Sequence, residues 1–143
     1  MIRLMEIPEI DEVMDLWINT NFEVHDYVDS SYWRENYDSF KEMLENANIY
    51  VSVDNNRING FAGVLGGHYL SGIFVDSISR NNGVGKELMN HLKERYDELT
   101  LNVYQQNKKA IKFYEREGFV VIDEDVEEET NIPEFTMAWP ENL

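Results

Sequence analysis

Two helix-like stretches set between strand-like runs decide most of what this chain can fold into. In residues 83–96, Val84, Leu88, Leu92 and Tyr96 recur every four positions, which predicts one buried helical face. A short strand follows at 99–103, then a second helix at 108–117 with Gly118 as its C-terminal stop. Residues 119–122 and 135–139 read as further strands. Upstream, residues 2–5 form a short strand, and Pro8 opens a helix carrying Ile10, Val13, Met14 and Trp17 on one side. A helix over 30–44 shows Trp33, Tyr37, Phe40 and Leu44 at spacings of three and four. Residues 49–53 and 58–65 flank the turn-rich Asp54-Asn55-Asn56-Arg57 as a hairpin, and 69–75 is another strand. The order β-α-α-β-β-β-α-β-α-β-β predicts an α/β chain. Its mixed sheet has about six to seven strands and about four helices, and only helix-separated strands need be parallel.

The length of 143 residues suits one domain, residues 1–143, around one core. No apolar run spans a bilayer, and the opening residues lack the form of a signal peptide. With no cysteine, thiolate chemistry and Cys-ligated zinc are excluded, and a reducing cytoplasmic setting is expected. A formal net charge of −16 predicts repulsion from nucleic acid and anionic membranes. The charge is uneven. Residues 80–116 carry eight basic and five acidic residues, net +3, which leaves −19 elsewhere. Such a concentration of cations can hold an anion, although two ordinary solvated helices give the same count.

Arg80-Asn81-Asn82-Gly83-Val84-Gly85-Lys86 lies between a strand and a helix. A helix start leaves backbone N–H groups without internal partners and carries the positive end of the dipole. Glycines let a phosphate approach that backbone, and Arg80 and Lys86 add charge, so a pyrophosphate is the expected guest. A tight turn would use the same glycines. The loop lacks the Gly-Lys-Ser/Thr ending of a P-loop, and Leu88 stands where a dinucleotide fingerprint needs its third glycine. In the later helix Asn107 is a good N-cap, yet Lys108 and Lys109 follow it and oppose the dipole. A bound phosphate would offset that penalty; solvent screening would also tolerate it. Tyr114 falls on the packing side of this helix, where a tyrosine commonly does no more than fill space.

Together these segments resemble the GNAT superfamily of acetyltransferases. The family's pyrophosphate loop, Arg/Gln-x-x-Gly-x-Gly/Ala, is matched by Arg80-Asn81-Asn82-Gly83-Val84-Gly85. Its later Asn-x-x-Ala-x-x-Phe-Tyr helix, followed by Gly-Phe, is matched by Asn107-Lys108-Lys109-Ala110-Ile111-Lys112-Phe113-Tyr114 and then Gly118-Phe119. The element order agrees throughout. The chain looks closest to small bacterial members that modify protein lysines. The resemblance implies acetyl-CoA as cosubstrate, no metal, an amine acceptor, and a monomer or homodimer. It implies that the amides of Asn82, Gly83, Val84, Gly85 and Lys86 hold the pyrophosphate. Phe74 and Val75 would pair with the pantetheine arm, Asn107 would hydrogen-bond the cofactor, nearby lysines would meet the 3′-phosphate, and Tyr114 would stand beside the acetyl sulfur.

Acyl transfer to an amine needs a neutral nucleophile, because an ordinary lysine with a pKa of about 10.4 is mostly protonated at neutral pH. A base or an ordered-water path is therefore useful, and a backbone N–H near Phe74 or Val75 can serve the oxyanion. Tyr69 and Ser71 occupy positions where relatives often carry Glu or His, and neither is a convincing base. His25, between the first two helices and flanked by Glu23 and Asp26, is the preferred base or substrate contact, ahead of His68. Residues 1–45 and 117–143 are each net −9, and in this fold they flank the acceptor, so an acidic entrance for a cationic amine such as a lysine or polyamine is expected. Solubility alone would also explain the acidity. Two other functions compete: a non-catalytic acyl-CoA-binding module of the same fold, and an acidic interaction domain working through residues 123–129. An EF-hand at Asp54-Asn55-Asn56 is spoiled by Ile58 and the misplaced Gly60.

Overall fold

Neighbouring residues of a strand face opposite ways, and in this protein each side meets its own apolar cluster. Ile49, Val51 and Phe61 enter one cluster with Val13, Met14, Trp17, Trp33 and Leu44. Tyr50, Ala62 and Val64 enter the other with Leu88, Met89, Leu92, Tyr114 and Phe119. The structure is a computed structural model, in which residues 1–141 are described. Its elements are β1 (Ile2–Leu4), α1 (Ile10–Val24), α2 (Ser30–Glu35), α3 (Tyr37–Glu45), β2 (Asn48–Asp54), β3 (Arg57–Leu65), β4 (Tyr69–Val75), α4 (Val84–Arg95), β5 (Leu99–Tyr104), α5 (Lys108–Arg116), β6 (Val120–Val126) and β7 (Pro133–Trp139). The strands form one sheet in the order β1-β2-β3-β4-β5-β7-β6. Helices α1–α3 cover one face, and α4 and α5 the other.

The expected mixed sheet is present, and the β2–β3 hairpin closes through Asn55 and Asn56 at φ 52° and 63°, as a two-residue primed turn requires. Three boundaries differ from expectation. The helix predicted over 30–44 is two helices, because Asn36 sits off helical geometry at φ −97°, ψ 3°. Its side-chain amide donates to the Tyr32 carbonyl at 2.8 Å, a local bond that competes with the helix ladder. Pro8 lies in a 3-10 turn at Ile7–Glu9, and α1 begins only at Ile10. The acidic tract is not all loop: Asp123 to Val126 extend β6 along β7. Asp123 and Asp125 accept the following amides, Glu124 N–H at 2.9 Å and Val126 N–H at 2.7 Å, which blunts an exposed edge strand.

The feature that creates the site is a parting of the sheet. The crossover through α4 makes β4 and β5 parallel, but they pair only at Tyr69 and Thr100, with Thr100 N–H donating to the His68 carbonyl at 2.9 Å. Beyond that point the β5-facing edge of β4 has no ladder partner. A bulge helps to bend β4: the register with β3 moves from Gly63–Gly72 to Val64–Leu70, which leaves Ser71 as the extra residue. Gly72 makes the bulge possible. Its φ is +142°, and a Cβ there would meet the Phe74 ring at 2.9 Å.

Candidate active site

Where β4 and β5 part, a cavity of about 400 Å³ opens between Ser71–Phe74 on one side and Asn102–Tyr104 on the other. Asn107, Ala110 and Tyr114 of α5 line it, as do Trp17, Asn21, His25 and Trp33 from the helices on the opposite face of the sheet, and Glu127 and Glu134 from the C-terminal region. The two segments expected to flank the acceptor do border one space.

Tyr114 is 6% exposed, and its ring lies among Phe113 and Phe119 at centroid distances of 5.4 and 5.6 Å. Burial pushes its hydroxyl up to about 12, while the backbone of Ile73 on the parted strand pulls the other way. The phenol therefore stays protonated and faces the edge where β4 has lost its partner.

Gly83 is the N-cap of α4 at φ +82° and has no side chain to offer its helix. The first helical bond runs from Glu87 N–H to the Gly83 carbonyl. The earlier amides of Val84, Gly85 and Lys86 have no place in the helix ladder. A Cβ on Gly83 would meet nothing within 4 Å, so the space in front of these amides is open. A Cβ on Gly85 would meet Phe113 at 3.5 Å and Ile73 at 3.9 Å, so this helix end packs close to the cavity wall.

Both expected cations of this loop make pairs within the chain. Arg80 donates Nε–H to the Val75 carbonyl at 3.0 Å and pairs with Glu23 at 3.2 Å. Lys86 turns to Glu117 at 3.2 Å, where Lys93 also reaches this buried carboxylate. The buried Glu117 needs such partners, whereas Glu23 is half exposed and Arg80 Nη2 finds no acceptor among the described residues. The amides, and the exposed Lys108 and Lys109, are open to an anion. Val75 accepts from Arg80 through its carbonyl and lies outside the cavity wall, whereas Phe74 lines it. Asn82 lies exposed in the loop.

His25 and Asn107 meet. Asn107 caps α5 by accepting Ala110 N–H at 3.2 Å, and its amide donates to His25 Nε2 at 3.1 Å. Asn21 is pinned by donating to the Trp17 carbonyl at 3.0 Å, which turns its oxygen to His25 Nδ1 at 2.8 Å. These neighbours define a neutral imidazole with its proton on Nδ1 and its Nε2 lone pair already used. Burial also lowers its pKa to about 4. Such a histidine is a weak base with no free lone pair, and the chain Asn21–His25–Asn107 instead ties α1 to the start of α5. Since the folded state refuses a proton that the unfolded state takes below about 6.5, stability is complete above that pH and falls as pH drops toward about 4. A urea titration should show a loss on the order of 3 kcal/mol across that window. His25→Gln should remove most of this slope. His68 lies exposed on the turn, contacting the Gly66 carbonyl at 3.1 Å, and is outside the cavity wall. Tyr69 lines the cavity and donates to Asn102 at 2.9 Å.

Asn21, Trp33, Asn102, Glu127 and Glu134 were not foreseen as site residues. Asn102 and Glu134 are polar positions in strands, and Glu127 sits inside a tract that reads as solvated acid. Only the pairing of β5 with β7, which sets Tyr104 opposite Glu134, brings them to the cavity. Among the described residues no cluster of three or more His, Cys, Asp or Glu could hold a metal ion, and no helix is long and apolar enough to cross a membrane.

Residues 22–140 match the family described as an acetyltransferase (GNAT) domain. Peptidyl-lysine N-acetyltransferase YiaC of Escherichia coli strain K12 is 32% identical over 141 residues, covering 98% of this chain and 97% of that protein. Peptidyl-lysine N-acetyltransferase YjaB of the same strain is 32% identical over 121 residues, covering 84% of this chain and 82% of that protein. The solution structure of apo-form YjaB from Escherichia coli superposes with a TM-score of 0.84 at 30% identity, covering 97% of this chain and 96% of that one. An aminoglycoside 6′-N-acetyltransferase complexed with coenzyme A shares the fold at a TM-score of 0.73 and 20% identity, over 96% of this chain and 95% of that one. A parted sheet beside an open, glycine-capped helix end is thus accompanied by likeness along nearly the whole length, and the chain belongs to the GNAT family of acetyl-CoA-dependent N-acetyltransferases.

Proposed function

We propose that this enzyme acetylates the side-chain amine of lysine in proteins or peptides, and that the residues around the β4–β5 parting carry the reaction. The observation that supports this most directly is the shared cavity. Tyr114, the unpaired edge of β4 and the acidic C-terminal strands all border it, and the open end of α4 adjoins it through Ile73. The names of YiaC and YjaB support lysine as the acceptor.

Acetyl-CoA supplies an activated thioester carbonyl. The amides of Val84, Gly85 and Lys86 bind its diphosphate, where charge-assisted hydrogen bonds and the helix dipole act together. The backbone from Ser71 to Phe74 offers the donors and acceptors that β5 leaves unused, which suits the amides of a pantetheine arm. One N–H of this edge also suits the oxyanion. Tyr114 donates its hydroxyl hydrogen to the sulfur as negative charge gathers there. His25 acts as a positioning residue: it holds Asn107 and keeps α1 against α5. The amine loses its proton to water at the acceptor side.

Lys108 and Lys109 are assigned to the 3′-phosphate. Replacing both by glutamate should stabilise the free protein by about 0.3–1 kcal/mol per site, because cations at a helix start oppose its dipole. The same variant should bind coenzyme A and its 3′-dephospho form with nearly equal affinity, whereas the natural protein prefers the former. Calorimetric titration with both ligands checks this; an undiminished preference would remove the two lysines from the site. The lysine assignment is tested by incubating acetyl-CoA with peptides of identical sequence carrying lysine or norleucine and reading the added acetyl mass. Equal labelling of both would point to another amine, such as the peptide terminus.

A further inference from the structure

Two carboxylates in the cavity wall lack the cation that such a pair calls for. Glu127 accepts from the Tyr104 hydroxyl at 2.9 Å and from Thr130 at 2.6 Å, and Glu134 accepts from Asn102 at 3.3 Å. Neither has a lysine, arginine or histidine within ion-pair distance among the described residues, although eight such pairs form elsewhere. Burial, Glu127 and Asp125 hold Glu134 above the usual carboxylate range, so negative charge is crowded there. Burial, and after it the charges of Glu127, Glu129 and Glu134, raise Tyr32, which lines the same cavity beside Trp33. Trp33 is 7% exposed, and its indole N–H finds no acceptor among the described residues, which leaves a buried donor at the wall. Aromatic faces, a donor without a partner and two carboxylates without a cation describe a pocket for an extended chain that ends in an ammonium group.

We propose that Glu134 and Glu127 form the ammonium-docking end of the acceptor site and determine the preference for lysine over neutral or anionic amines. The inference rests on the acetyltransferase reading above and adds the residues that select the acceptor. The ammonium enters between the Tyr32–Trp33 wall and the two carboxylates, and these carboxylates replace the water it leaves. Before transfer it must lose one proton; the nitrogen lone pair then forms the bond to the acetyl carbon as the carbon–sulfur bond breaks. The sulfur retains that electron pair and receives a proton, so a protonated amine and the thioester become an amide, a thiol and one released proton.

The test uses steady-state kinetics of the full chain with acetyl-CoA and a lysine peptide, in natural protein and in a Glu127→Gln, Glu134→Gln double variant. Glutamine keeps the shape and an acceptor oxygen for Tyr104 and Asn102, so the fold should persist, as a melting curve will show. The expected result is a KM for peptide raised about tenfold or more, with kcat and acetyl-CoA affinity nearly unchanged. The KM of the natural protein should rise with salt, and the double variant should lose most of that dependence. Glu134→Asp with Glu127 intact should recover much of the affinity, which loss of structure alone would not predict. Natural KM and natural salt dependence in the double variant would overturn the proposal, as would a fall in kcat at unchanged KM. Acetyl-CoA that binds neither protein would instead overturn the cofactor site, so the two failures are distinguishable.

Discussion

Replacing Tyr114 by phenylalanine lowers turnover about 100-fold or more, the range expected when one preorganised hydrogen-bond donor to a developing charge is removed, while acetyl-CoA affinity stays nearly constant. The ring remains packed against Phe113 and Phe119, so the change removes one hydroxyl and little apolar contact. That hydroxyl, held at about 12 by burial, is protonated throughout any practical assay range. A thiol ordinarily titrates near about 8.5, so a resting thiolate would not strip the phenol of its proton. The contribution of Tyr114 is therefore a hydrogen bond to sulfur that strengthens as the carbon–sulfur bond breaks, which raises kcat without tightening ground-state binding. Its titration should also give no alkaline limb below about 11, so the rate should keep rising as the acceptor amine deprotonates. Single-turnover rates with saturating acetyl-CoA and a lysine peptide check the first expectation. Full activity in Tyr114→Phe would take the residue out of the mechanism.

Gly83→Asp should weaken acetyl-CoA binding about 100-fold, near 2.8 kcal/mol, with only a small change in melting temperature. The new carboxylate would stand at the start of α4, in space that holds nothing within 4 Å of the added Cβ. It would compete with the diphosphate for the amides of Val84, Gly85 and Lys86 and would repel it. Aspartate interacts well with a helix start, which offsets part of the cost of placing a side chain at φ +82°. Isothermal titration with acetyl-CoA measures the loss. A variant that binds as tightly as the natural protein would mean that the diphosphate lies elsewhere. Tyr114→Phe and Gly83→Asp thus separate chemistry from binding: one should change kcat alone, the other mainly the dissociation constant.

Local patterns made the scaffold of the cofactor side legible before any coordinates. The four-residue recurrence of Val84, Leu88 and Leu92 became the buried face of α4, and Gly118 ends α5 at φ +94°. Asn107 caps its helix as its position predicts. These features depend on neighbours a few residues apart, where helix geometry makes sequence spacing nearly equivalent to spatial position. The partners of Arg80 and Lys86, Glu23 and Glu117, were not legible because they lie 57 and 31 residues away. A count of cations in a window cannot show which of them are already neutralised.

By itself the sequence determined an α/β chain, a helix start with exposed amides, and a capped helix that presents Tyr114 inward, since each follows from periodicity and from the backbone freedom of glycine. Tertiary structure alone decided that β4 would part from β5 after Tyr69, that His25 would spend both ring nitrogens on Asn21 and Asn107, and that Glu134 would face the cavity beside Glu127. Each of these depends on strand order, register or burial between distant segments. Such relations arise only when the chain closes on itself and removes water from groups that its linear order keeps apart.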